Sequence, residues 1–123
     1  MAKTSKSRKA KGTRLEKEIA KIIEDVLGKY GIEATRMVMS GAVDRFKGDI
    51  FTNLPVSIEV KNQERLNFRK AWQQAKNDAG SGKMPIVMTS KNNDKEVLCL
   101  MELNDLLILM ELACQAGWAG RRP

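Results

Sequence analysis

The chain has 123 residues, enough for one domain with a modest core, and it contains no histidine, which excludes histidine metal sites, histidine general bases and any serine–histidine triad. Cys99 and Cys114 stand alone in apolar surroundings, so they read as buried free thiols of a reducing compartment, not as a zinc site or a disulfide framework. Lys and Arg number 22 against 15 Asp and Glu, a net charge of +7; no apolar run approaches a membrane span and no signal-type segment follows the basic start, so an intracellular, cytoplasmic protein is expected.

The charge is unevenly placed. Residues 1–14 hold Lys3, Lys6, Arg8, Lys9, Lys11 and Arg14 and no acid, which leaves 16 basic and 15 acidic side chains for the rest of the chain. A near-neutral body with a basic arm is typical of contact with a phosphate backbone; the blander reading is a solubilising or ribosome-trailing tail. Residues 1–12 lack large apolar side chains and read as a disordered tail. Thr13 and Glu16 then match a capping box, with Thr13 as N-cap, and Leu15, Ile19, Ile22, Ile23, Val26 and Leu27 follow at helical spacing. A helix is predicted over 14–28, ended by Gly28 or Gly31, with Glu16 at the border of its apolar stripe. The capping box alone accounts for Glu16; a carboxylate at that border would also reach a site on a sheet beneath the helix.

Ile32 to Met39 reads as a strand, and Ser40-Gly41-Ala42 as a turn in which Ser40 is either an ordinary turn serine or a phosphate contact. Asp44 lies in the following loop without a strand to fix it. The segment Gly48 to Asn62, GDIFTNLPVSIEVKN, predicts an antiparallel hairpin with Pro55 in or just after its turn. A helix is expected over 67–79, where Phe68, Trp72, Ala75 and Ala79 recur at helical steps and Gly80-Ser81-Gly82 stops the run. Arg65, Arg69, Lys70 and Lys76 make this helix basic, while Gln73 and Gln74 flank its stripe on opposite sides. Strands follow at 85–89 and 97–101, joined by an exposed loop at 91–95. A last helix over 104–116, capped at or near Asn104, is apolar nearly all round and offers a dimer surface, with 117–123 a loose end.

In a strand, residues two apart share a face, so Glu59 and Lys61 point one way with Val60 turned to the core. Antiparallel pairing folds Asp49 back beside Glu59. Two carboxylates and an ammonium on one small surface suit phosphodiester hydrolysis. A magnesium ion takes one or two carboxylates, keeps several waters and binds phosphate. A lysine beside it adds positive charge where negative charge develops. The same pair on a solvated edge strand would be ordinary surface chemistry.

These residues together resemble the PD-(D/E)xK nuclease superfamily, and within it the archaeal-type Holliday junction resolvases and their small phage relatives. The resemblance spans roughly residues 12–112. It rests on the helix-borne acid of RLEKEIA, the Arg-x-x-x-Ser-Gly of Arg36 to Gly41, Gly48-Asp49-Ile50, Ile58-Glu59-Val60-Lys61 and Trp72-Gln73-Gln74-Ala75. It implies an α/β, restriction-endonuclease-like core, a mixed five-stranded sheet flanked by helices in the order α-β-β-β-α-β-β-α, over residues 13–116. It further implies Asp49 and Glu59 as metal ligands, Glu16 supporting the metal shell, Lys61 assisting the attacking water, Gln74 completing the site and Ser40 close to it. Gly48 stands where the superfamily motif begins with proline.

The function these features imply is a Mg²⁺-dependent endodeoxyribonuclease, with Mn²⁺ as a substitute cation, selective for branched DNA such as a four-way junction and acting as a homodimer in recombination or repair. DNA contacts are expected from Lys3, Lys6, Arg8, Lys9, Lys11 and Arg14 of the arm and from Arg36 and Arg69, although solvation is the default for any one of them. The rivals are a general or nicking nuclease on the same fold, a DNA-binding protein without turnover, and an RNA-associated basic protein favoured by the tail alone.

Overall fold

The computed structural model describes the backbone of residues 5–37, 49–91 and 94–118, with side chains from residue 12 onward. Helix α1 covers Ser5–Leu27. It begins well ahead of Thr13, so Thr13 is not an N-cap and no capping box forms. The intervening Lys, Arg and Ala are good helix formers, and they let the helix run through a residue whose local preference is to start one. The Thr13 hydroxyl instead accepts a hydrogen bond from Arg36 Nη2 at 3.4 Å. At the other end α1 tightens into a 3₁₀ turn, Gly28–Tyr30, and Gly31 at φ 81° lets the chain reverse into the sheet.

The sheet has five strands in sequential order: β1 (Ala34–Arg36), β2 (Ile50–Thr52), β3 (Val56–Asn62), β4 (Met84–Ser90) and β5 (Leu98–Leu100). β1–β2, β2–β3 and β4–β5 pair antiparallel, whereas β3–β4 is parallel, because helix α2 (Phe68–Asp78) carries the chain back between them. From Asp49 to Asn62 the chain is thus the hairpin its alternation predicts, with Ile50 opposite Ile58; Gly48 lies outside the described residues. β1 begins two residues later than predicted, and among the described residues Ala34–Arg36 pair with β2; Val38, Met39, Ser40 and Asp44 lie outside the described residues.

Period-two alternation gives the sheet two differently filled faces. Ile50, Ile58 and Val60 meet Leu15, Ile19 and Ala20 of α1, with Ala34 closing the cluster. On the other face Val87 meets Ala71 and Ala75 of α2. Small alanines let α2 lie close to the strands, and Ala75 and Val87 are fully buried. Asn67 caps α2, its side chain accepting from the Lys70 amide at 3.1 Å. Helix α3 (Leu103–Gln115) is capped by Glu102, whose carboxylate accepts from the Asn104 amide.

Not one α3 residue is buried, in keeping with the exposed apolar surface its composition suggests, whereas the expected burial of the two cysteines fails. Cys99, on edge strand β5, and Cys114, on α3, are exposed free thiols; on β5 it is Leu100, not Cys99, that packs against the α2 cluster. No helix among the described residues is long and apolar enough to cross a membrane.

Ile58 is 1% exposed at the centre of the α1 cluster, while Phe51 on the neighbouring strand is 42% exposed. Ile58→Ala should lower the unfolding free energy by about 2–5 kcal/mol in a denaturant titration. Phe51→Ala should cost less than about 1 kcal/mol in the same experiment.

Candidate active site

Asp49 stands at the mouth of β2 and is held from both neighbours. Its amide donates to the Ile58 carbonyl of β3 and its carbonyl accepts from the Met37 amide, each at 2.9 Å. Its carboxylate Oδ2 accepts from the Val60 amide at 2.7 Å. A short bond from this strand amide fixes the carboxylate in place. With Ile50 opposite Ile58, the ladder brings Asp49 level with Glu59, as the hairpin reading requires.

Glu59 is 3% exposed and points to the α2 face of the sheet. Burial, then the charge of Asp49, then a hydrogen bond and the charge of Asp78 push its carboxyl up to about 8, with the Lys61 ammonium pulling the other way. The glutamate is therefore held protonated at neutral pH while no cation is present. Lys61, two residues on and on the same face, donates from Nζ to Gln74 Oε1 at 2.9 Å. Gln73 points elsewhere, donating to Asn77 at 3.1 Å. The glutamine that meets the lysine is Gln74.

These two contacts share one geometrical cause. α2 runs back along β3, so advancing four residues on the helix, about 6 Å, matches retreating two on the strand, about 6.6 Å. Gln74 over Lys61 accordingly places Asp78 over Glu59. Asp78 is the site residue that sequence reading missed. Its signal was present: once Gln74 faces the site, the residue at i+4 shares its helical row.

Glu16 reaches the site from the opposite layer. Arg36 Nε donates to Glu16 Oε2 at 2.9 Å, and both side chains are largely covered. Burial and the charge of Asp49 push the Glu16 carboxyl up, against the pull of Arg36. Asp49 thus lies within the electrostatic reach of Glu16 on one side and Glu59 on the other, although the two glutamates approach from different faces. Arg36 is occupied by Glu16 and Thr13. Arg14 and Arg69 are exposed; Ser40, Lys3 and the side chains of Lys6, Arg8, Lys9 and Lys11 lie outside the described residues.

Among the described residues no three acidic or cysteine side chains form a ready-made metal cage. The adjacent carboxyls of Asp49 and Glu59 nevertheless fit an oxygen-seeking divalent cation, which needs one or two carboxylates and retains water in its other positions. Glu59 favours its neutral form because it is buried and faces carboxylates without a full counter-charge, and a divalent cation would supply that charge.

A family model described as Phage putative PDDEXK endonuclease matches residues 7–114. The chain belongs to this endonuclease family. No curated protein and no solved structure matches it. The α/β fold, with its mixed sheet and three helices, is consistent with the restriction-endonuclease-like core of PD-(D/E)xK nucleases, which generally use divalent metals. The family is one of nucleases, so its substrate is DNA.

Glu59 gives this endonuclease a stability signature. Its folded-state carboxyl titrates near 8 against 4.5 for an ordinary glutamate, so between those values the folded chain holds a proton that the unfolded chain has lost. The stability conferred by that neutral carboxyl is complete below the lower value and lost as pH rises through the upper one. Metal-free protein should therefore unfold at progressively lower urea concentration from pH 5 to pH 8. Glu59→Gln should flatten that slope; an unchanged slope in the variant would assign it to other groups.

Proposed function

We propose that the chain is a Mg²⁺-dependent endodeoxyribonuclease that hydrolyses phosphodiester bonds in branched DNA, the four-way junction above all, as a homodimer in the cytoplasm. The observation that supports it best is the rung of Lys61 on Gln74 beside the rung of Glu59 on Asp78, with Asp49 pinned next to them. A structural ion pair would have joined Lys61 to Glu59. Here the lysine is turned to an uncharged amide, and the glutamate is left with carboxylates.

Asp49 and Glu59 would hold the cation, Asp49 already oriented by the Val60 amide, Glu59 giving up its proton on binding. The cation supplies Lewis acidity toward the scissile phosphate and makes water more acidic. Lys61, positioned by Gln74, directs the attacking water and offsets charge that grows on phosphorus oxygens. The water oxygen bonds to phosphorus as the bond to the leaving alcohol breaks, in line. Glu16 lies behind Asp49, where Arg36 holds its carboxyl in orientation. The basic N-terminal residues, with Arg69 on α2, would contact the phosphate backbone.

The dimer is argued from α3. Leu103, Leu107, Ile108, Leu109, Met110, Leu112 and Trp118 are each at least 40% exposed. Together they offer several hundred Å² of apolar surface, on the scale of the roughly 800 Å² per partner in a standard interface. The occupant proposed is a second copy of this chain, because junction resolution needs two coordinated nicks and a two-fold dimer provides two sites.

Cleavage of a labelled four-way junction beside matched linear duplex and flap tests the activity. Paired symmetric nicks on the junction, abolished by EDTA and reduced by about 10²-fold or more in Asp49→Asn and Lys61→Ala, are expected. Equal cutting of all three substrates would remove the junction selectivity, and tight binding without cutting under any divalent metal would leave a binding protein. Light scattering should give a dimer mass for the intact chain and a monomer mass for the Leu107→Glu, Ile108→Glu double variant. A monomer for both would overturn the α3 interface.

A further inference from the structure

A second feature lies one step from the candidate site. In the parallel pair, Lys61 stands opposite Thr89 and Asn62 opposite Ser90. Beside these strand ends there is a cavity of about 370 Å³. Crevices at the carboxyl ends of parallel strands are where open α/β sheets bind ligands, and this volume falls in the small-ligand range of roughly 300–1,000 Å³.

Its lining is of two kinds. Phe68, in the first turn of α2, and Leu98, at the start of β5, are 51% and 53% exposed. Thr89 and Ser90 are buried polar residues of the same cavity. The Ser90 hydroxyl donates to the Lys91 and Asp94 carbonyls at 3.3 and 3.1 Å, so toward a ligand it acts as an acceptor. Exposed apolar side chains beside buried polar ones suit a flat ligand with apolar faces and a polar edge.

The charges decide its class. Carboxylates of Glu64, Asp94 and Glu96 outnumber the cations of Arg65 and Lys91, which makes the cavity a poor phosphate site. A nucleobase meets both conditions. Its faces stack on an aromatic ring, and its exocyclic amino group donates to a carboxylate.

We propose that this cavity receives one unpaired nucleobase of the DNA substrate, stacked on Phe68 beside the position of cleavage. The proposal rests on the nuclease reading above. A base within a continuous duplex is stacked and paired and enters only at a cost of a few kcal/mol. A base at a branch, flap or bulge has already left its stack, so the cavity gives the chain a way to select non-duplex DNA without an added recognition module.

The test is binding of the full chain, in EDTA so that no strand is cut, to a duplex with one bulged cytidine and to the same duplex with an abasic bulge. Wild type should bind the cytidine bulge roughly tenfold more tightly than the abasic one, the scale of one aromatic–base stack. Phe68→Ala should bind both alike, and Phe68→Trp should restore the preference. Equal affinities in wild type, or an undiminished preference in Phe68→Ala, would overturn the assignment. A chain that cuts DNA with metal yet shows no preference loses only the cavity's role. A chain that neither binds nor cuts any DNA loses the nuclease reading as well.

Discussion

The carboxyls of Asp49 and Glu59 are set side by side across the β2–β3 ladder, and almost everything else in the fold serves to keep them there. Like-charged groups would move apart if free. The short bond from the Val60 amide to Asp49, with the backbone bonds of Asp49 to β1 and β3, removes that freedom. Glu59 cannot turn away either, because its strand is flanked on both sides and α2 covers its face. The cost of burying an uncompensated carboxylate is several kcal/mol, a large fraction of the stability of a small domain. The molecule avoids that cost by holding a proton on Glu59, and a divalent cation would remove the need for it. A bound cation would compete with that proton for one place.

The sheet has a division of labour that follows from its period of two. On β3 the residues turned to α1, Ile58 and Val60, belong to the apolar cluster. The residues turned to α2, Glu59 and Lys61, belong to the site. A one-residue slip of register would bury the lysine under α1 and expose the isoleucine, so the core and the chemistry specify the same pairing. α2 is the complementary half of that device. Its alanines give it a close approach to Val87, and its Gln74–Asp78 row then falls over Lys61 and Glu59.

Much of this is legible in the sequence wherever a local period carries it. Gly48 to Asn62 alternates as a hairpin must, with Asp49 and Glu59 at matching distances from the turn, and the choice of Gln74 over Gln73 follows from the resemblance and from Ala75 beside it. What the sequence does not show arises from relations between elements. Asp78 has no motif of its own; its place depends on α2 running antiparallel to β3 at one particular height. Thr13 and Glu16 spell a helix start, but a capping box is a local preference, and a helix already formed from Ser5 overrides it. Leucine and alanine surround the two cysteines in sequence and so suggest burial. Apolar neighbours in sequence bury a residue only if another layer covers the element, and among the described residues nothing covers β5 or α3 at those positions.

That uncovered end bears on how the domain is stabilised. The two apolar clusters are small, and the larger one is formed by α1 with β1, β2 and β3. α3 places its leucines in water instead of adding them to either cluster. A helix of that composition gains its stability from packing, since propensity alone supports few helices of this length. In a dimer, the burial missing from the monomer's core would be supplied across the interface, and folding would become coupled to protein concentration. The charge distribution points the same way. α3 and its cap carry Glu102, Asp105 and Glu111 and no basic side chain, whereas the basic excess lies in the first 14 residues. An acidic face repels a phosphate backbone, so in the proposed dimer α3 would turn away from DNA while its leucines meet those of the second copy.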